Sequence, residues 1–193
     1  MPPPPPARSG ARQRLLDAAD ELFYAEGIAG TGVDAVLARS GAAIGSLYSH
    51  FGGKDGLVLA YLEAREDRWR ARWDALISQQ HDAAARVLTI FDVMCEWMRD
   101  RPSDHGCAHA AAIAQLPDSH PAHAAALGWK RDTRTRLAAL VDELPVADSA
   151  ALAADLHLLY EGAMVAAALG DPDAGRRARA TAADLIARRQ SGT

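Results

Sequence analysis

Residues 31–57 read Thr31-Gly32-Val33-Asp34-Ala35-Val36-Leu37-Ala38-Arg39-Ser40-Gly41-Ala42-Ala43-Ile44-Gly45-Ser46-Leu47-Tyr48-Ser49-His50-Phe51-Gly52-Gly53-Lys54-Asp55-Gly56-Leu57. Val33, Val36 and Leu37 recur at helical spacing, which predicts a short helix over 33–40 that Gly41 ends. A second short helix follows over about 44–50, with Leu47 and Phe51 four apart as its inward anchors. Phe51-Gly52-Gly53 is a break, and Lys54-Asp55 opens a longer helix. Helix, glycine turn and short helix is the layout of a helix-turn-helix, which sets its second helix in the major groove of DNA. That helix offers small or hydrogen-bonding residues: Ala43, Gly45, Ser46, Tyr48, Ser49 and His50. From Ala42 to Lys54 there is no Asp or Glu to repel phosphate.

On the N-terminal side, Leu15, Ala18, Ala19, Leu22 and Phe23 share one face of a helix expected over 9–25, ended by Gly27. Residues 1–9, with Pro2 to Pro6, read as a disordered, polyproline-II-like tail. Arg8, Arg12 and Arg14 fit two readings, a minor-groove arm or charges that keep the tail soluble. On the C-terminal side the Lys54 helix runs to about residue 79, with Leu62, Trp69, Trp73 and Leu76 as its inner stripe. Further helices are expected over about 82–99, 107–116, 120–144, 149–169 and 172–189, the last with Pro172 at or near its first turn. The chain is therefore all-α, about nine helices. A helix-turn-helix head at 10–56 joins a body at 57–190 through one long helix that couples the two.

Composition agrees. Alanine, the best helix former, makes up about a fifth of the 193 residues. An apolar fraction of 49% excludes a wholly disordered chain, and two cysteines exclude a disulfide scaffold. No stretch is read as approaching the ~20 apolar residues of a membrane span; the longest candidate is 162–170. The proline-rich start lacks the basic and apolar regions of a signal peptide, so a cytoplasmic, reducing location is expected, without membrane partners. A net charge of −4 excludes coating of nucleic acid through bulk charge. Even the first 60 residues carry five cations against six acids, four of which lie between Asp17 and Glu26. Any DNA surface must therefore be local.

The block Gly41-x-x-x-Gly45-Ser46-Leu47-Tyr48-x-His50-Phe51-x-x-Lys54-x-x-Leu57, with the helix before it, resembles the DNA-binding head of TetR/AcrR transcriptional regulators. The close match spans about residues 10–60, and the stretch around Gly106-Cys107 and Leu116-Pro117-Asp118 is similar, more weakly, to one subset of the family. The resemblance implies a homodimeric repressor on a palindromic double-stranded operator, released by a small-molecule effector, without a cofactor. By position, Thr31 would meet a phosphate, Ser46, Tyr48 and His50 would meet backbone or bases, and Lys54 would pair with a phosphate at a helix N-terminus. Ala43, Gly45 and Ser49 complete that surface. Many relatives have Lys where this chain has Ile44, which would touch a thymine methyl or pack inward.

Scarce aromatics cluster in the body. Phe91, Met94, Cys95, Trp97 and Met98 on one helix, with Trp129, His157, Tyr160 and Met164 on others, are the candidate effector pocket. The 149–169 helix is apolar almost all round. Leu152, Leu156, Leu159 and Ala163 form one stripe; Leu158, Gly162, Val165 and Leu169 form another. Two stripes require two partners, its own domain and a second chain. Leu152, Leu156, Leu159, Gly162 and Val165, with Ala178, Ala182 and Leu185 from the last helix, are the candidate dimer interface. His105, Cys107 and His109 lie close in sequence and give an alternative, a metal- or thiol-responsive regulator. Against a metal, Cys107 and His109 would point about 200° apart if residue 107 were helical. A small helical enzyme is the remaining alternative, but no nucleophile–base set, phosphate loop or HExxH motif is present, and no catalytic residue is assigned.

Overall fold

A computed structural model describes residues 10–100 and 106–192. Within them the chain forms nine α-helices and no strand: α1 Ala11–Glu26, α2 Val33–Ser40, α3 Ile44–Phe51, α4 Lys54–Ser78, α5 Ala83–Asp100, α6 Ala108–Gln115, α7 Pro121–Val141, α8 Ser149–Ala168 and α9 Ala174–Ser191. The tail expected at 1–9, including Arg8, lies outside the described residues, as does His105.

The corner between α3 and α4 needs two left-handed residues in succession, Gly52 at φ 72° and Gly53 at φ 140°. At the other end of the body, α7 stops at Val141, short of residue 144. Asp142 caps it, and Leu144 turns back into the core instead of extending the helix. Pro172 lies outside α9, whose N-cap is Asp173.

Two clusters of buried side chains organise the molecule. One gathers Leu15, Ala19 and Phe23 of α1, Val36 of α2, Leu47 of α3, and Leu57, Val58, Tyr61 and Leu62 of α4. It continues into Ala108 and Ala112 of α6 and Ala122 and Ala126 of α7. The other joins Trp69 and Trp73 of α4 to α5, the later part of α7, α8 and α9. The α4 helix runs through both, as its apolar stripe requires. Polar bonds reinforce the junction between head and body. Tyr24 Oη donates to the Gly106 carbonyl (3.2 Å), and Ile28 N–H donates to Gln115 Oε1 (3.1 Å). His120 caps α7, accepting from Ala122 N–H, and its Nε2 lies 3.3 Å from Asp55 Oδ1.

By length and composition alone α8 is long and apolar enough to cross a membrane, although it carries Asp155 and Glu161. Leu152, Leu156, Tyr160 and Ala163 nevertheless pack it into the body's core.

Candidate nucleic-acid interface and body cavity

The α3 helix is anchored by one side. Leu47 is fully buried and Phe51 partly so, which turns Ala43, Ile44, Gly45, Tyr48, Ser49 and His50 outward; Ser46 is half-buried. Ile44 and Tyr48, four apart, stand on the same face at 55% and 57% exposure, so Ile44 does not pack inward. Ser49 Oγ donates to the Ser46 carbonyl at 3.1 Å and stays at the surface. Lys54 is the first residue of α4, where the helix dipole favours an anion over a cation.

Thr31 departs from expectation. It is buried, and its hydroxyl donates to the Gly27 carbonyl at 2.8 Å, closing the end of α1. That hydroxyl is not offered to a phosphate. Arg12 and Arg14 do not extend as an arm either. The Arg14 Nε–H donates to the Ser40 carbonyl at 3.1 Å, and the Arg12 guanidinium lies 5.5 Å from the Phe51 ring centroid. Both brace α1 against the helix-turn-helix. Gly56, which sequence reading passed over, sets the depth of the α3–α4 corner: a Cβ there would fall 1.8 Å from the Phe51 carbonyl oxygen.

Five large apolar side chains are exposed among the described residues: Ile44, Tyr48, Leu158, Val165 and Leu169. They form two groups, one on α3 and one on α8. Apolar surface left together in this way marks a contact face. On α8 the two expected stripes separate as their spacing requires. Leu152 and Leu156 lie in the protomer's own core with Ala178 and Ala182 of α9, which corrects their assignment to a dimer interface. Gly162 and Val165 are exposed with Leu158 and Leu169, while Leu159 and Leu185 are half-buried.

The body holds a small cavity of about 50 Å³, open to solvent, between α4, α5, α7, α8 and the start of α6. Arg65, Glu66 and Trp69 come from α4, Trp97 from α5, and Cys107, Ala108 and His109 from the beginning of α6; Trp129, Lys130 and Thr133 come from α7, and Tyr160 and Met164 from α8. Of the expected pocket residues, Trp97, Trp129, Tyr160 and Met164 line it. Phe91 and Met94 do not: both are fully buried in the core. Cys95 also faces elsewhere. A Cβ on Gly175 of α9 would come within 2.6 Å of its Sγ and 2.7 Å of Met94 Cε, so these side chains lie against α9. Met98 sits partly buried at the core's edge, and His157 lies beside the cavity rather than in its wall, tilted against Tyr160 with centroids 6.5 Å apart.

Sequence reading missed the charged part of the wall, Arg65, Glu66 and Lys130. The signal was present: Arg65 and Glu66 fall inside the Leu62–Trp69–Trp73 stripe, where charge must be buried. Arg65 is 3% exposed, donates to Asp20 Oδ1 on α1 at 2.8 Å, and packs its guanidinium 4.3 Å from the Tyr24 centroid and 5.4 Å from that of Trp97. Glu66 accepts from Arg70 at 2.7 Å. Lys130 donates to both carboxylate oxygens of Glu161 at 2.6 Å. Burial works against the Lys130 charge, but Cys107 and Glu161 outweigh it and hold its pKa above the usual lysine value. Burial pushes the Tyr160 phenol well above its ordinary range. Burial also holds His109 and His157 below the usual histidine value, although Glu66 and Glu161 pull the other way.

Cys107 is the N-cap of α6, outside the helical turn, so it shares the cavity wall with His109 instead of pointing away from it. No group of three or more His, Cys, Asp or Glu side chains placed to hold a metal occurs among the described residues.

Residues 15–61 match the family described as bacterial regulatory proteins, tetR family. Residues 83–182 match the tetracyclin repressor-like C-terminal domain. Among solved structures, SCO4454, a TetR-family transcriptional regulator from Streptomyces coelicolor, superposes with a TM-score of 0.87 at 31% identity, covering 93% of this chain and 90% of that one. A TetR-type regulator from Streptomyces avermitilis, sav143, gives a TM-score of 0.79 at 29% identity over 94% and 98%. Among curated proteins, the HTH-type transcriptional regulator LmrA of Bacillus subtilis is 46% identical over 50 residues, 25% of this chain and 27% of its own. The chain spans only about a quarter of the length of the first curated relatives that it matches.

Proposed function

The chain belongs to the TetR family of DNA-binding transcriptional regulators, a family of regulators and not of enzymes, and we propose that it works as a homodimeric repressor released from a palindromic operator by a small molecule in the body cavity. Residues 10–56 carry the DNA and 57–190 carry the effector and the partner protomer. In this reading Tyr48, Ile44, His50, Ser49, Gly45 and Ala43 face the groove, and Lys54 meets a phosphate. The exposed row Leu158, Gly162, Val165 and Leu169 supports pairing through α8, which gives the two recognition helices twofold symmetry. Their separation must match one duplex turn, ~34–36 Å.

The observation that carries the effector part is the double role of Arg65, which lines the cavity and binds Asp20 of the head. A ligand among Arg65, Glu66 and Trp69 pushes directly on the helix that holds α1 and α3. At the start of α6, it pushes on a segment bonded to the head at Tyr24 and Ile28. It favours release only by binding more tightly to the arrangement with the wrong helix separation.

The test is fluorescence anisotropy on the intergenic DNA upstream of the gene. Tyr48→Ala and Lys54→Ala should each weaken binding at least tenfold with the fold intact; unchanged affinity in both removes the contact assignment. A second reading, a thiol-responsive regulator, is favoured by the position of Cys107 in the cavity wall beside Lys130. DNA release by an alkylating or oxidising agent that Cys107→Ser abolishes would support it.

A further inference from the structure

We infer that the body cavity takes a small, flat aromatic ligand bearing a primary amino group, which donates at once to Glu66 and His109. This rests on the cavity being the effector site. The His109 ring stands edge-on to Trp129, with centroids 5.1 Å apart, and donates to the Leu62 carbonyl. Its Nε2 is buried and makes no hydrogen bond, so the nitrogen bonded to Leu62 is Nδ1. Burial keeps this imidazole neutral by lowering its pKa. A neutral ring protonated at Nδ1 leaves Nε2 as an acceptor.

Glu66 Oε2 lies 3.9 Å from that Nε2, beyond hydrogen-bond distance, and an ionised carboxylate only accepts. The wall therefore presents two acceptors side by side. A nitrogen about 2.9 Å from each would see them about 85° apart, near the spread of two N–H bonds. An amino group satisfies both acceptors, whereas a hydroxyl has one hydrogen and satisfies one. Arg65 is already paired with Asp20 and Lys130 with Glu161, so the polar groups left for the ligand are Glu66 Oε2 and His109 Nε2. The ring would lie against Trp97, Trp129 and Tyr160, which line the cavity.

The experiment is isothermal titration calorimetry of the full chain with 5-aminoindole and 5-methylindole, which share a shape and differ in the amino group. The aminoindole should bind at least tenfold more tightly, because the methyl leaves two buried acceptors unpaired. In His109→Phe, which keeps the contact with Trp129, the preference should fall to about twofold or less while 5-methylindole affinity holds. Glu66→Gln places a donor beside Nε2 and should erase the preference in the same way. Retained 5-methylindole binding shows that each variant is folded. Equal affinities in the parent chain, a preference that survives both variants, or no binding of either compound overturns the inference. DNA anisotropy run alongside separates the two ideas: 5-aminoindole bound with the expected preference but without DNA release leaves the inference standing and removes the effector reading.

Discussion

Replacing Leu158 by Asp should split the proposed dimer while leaving the protomer folded. Leu158, Val165 and Leu169 are 70%, 60% and 84% exposed in the single chain. Together they leave about 350 Å² of apolar surface in water, worth about 9 kcal/mol per protomer if buried at about 25 cal/mol per Å². Twofold symmetry doubles that to about 18 kcal/mol, to be set against about 4–15 kcal/mol lost in freedom on association. Leu158 alone accounts for about 3 kcal/mol per protomer, and the substitution acts on both sides of the axis. At about 1.4 kcal/mol per decade, a loss of at least 6 kcal/mol weakens dimerisation by four decades or more, before the repulsion of paired carboxylates is added. Sedimentation equilibrium at micromolar concentration should find the parent as a dimer and Leu158→Asp as a monomer with unchanged helical circular dichroism. A parent that sediments as a monomer refutes the reasoning, and so does a variant that dimerises as well as the parent.

Other consequences can be checked separately. Gly56→Ala should lower stability by about 1–3 kcal/mol in urea unfolding, because its Cβ forces α3 away from α4, and should also weaken DNA binding. Trp129→Ala should alter binding of the cavity ligand while leaving ligand-free DNA affinity within about twofold; loss of folding would instead make Trp129 a core residue. His109 refuses a proton in the folded chain that the unfolded chain accepts near pH 6.5. Its contribution to stability is therefore level above that pH and declines as pH falls from there toward the lower folded value. Urea midpoints between about pH 7.5 and pH 5 should fall, and His109→Phe should flatten the slope.

The head was legible because its signals are local. Gly41, the Gly52-Gly53 pair and the Leu47–Phe51 anchors each act within one turn of chain, and the structure follows them. The body shows what local pattern leaves open. On α8 the two apolar stripes were visible, but which one faces the core depends on α5 and α9. That is why Leu152 and Leu156, expected at a dimer interface, lie in the core, while Val165 is left exposed. On α5, Met94 and Cys95 turn toward α9, where Gly175 makes room about 80 residues away in sequence, while Phe91 stands edge-on to Tyr160 of α8. Thr31 was placed from resemblance alone, and its hydroxyl is taken up by the end of α1. The charged cavity wall had a local trace in Arg65 and Glu66, which interrupt an otherwise apolar stripe. The meaning of that trace appears only when Asp20, Trp97 and His109 arrive from three other helices.

The central claim is that two copies of α3 read DNA about one helical turn apart. The most direct measurement is selection of binding sites from a random duplex pool by the full chain, repeated with Tyr48→Ala. The account predicts an inverted repeat with half-sites centred ~34–36 Å apart, or a multiple of that, and loss of the enrichment in the variant. A single unrepeated site, or the same sequence enriched equally by Tyr48→Ala, would contradict it.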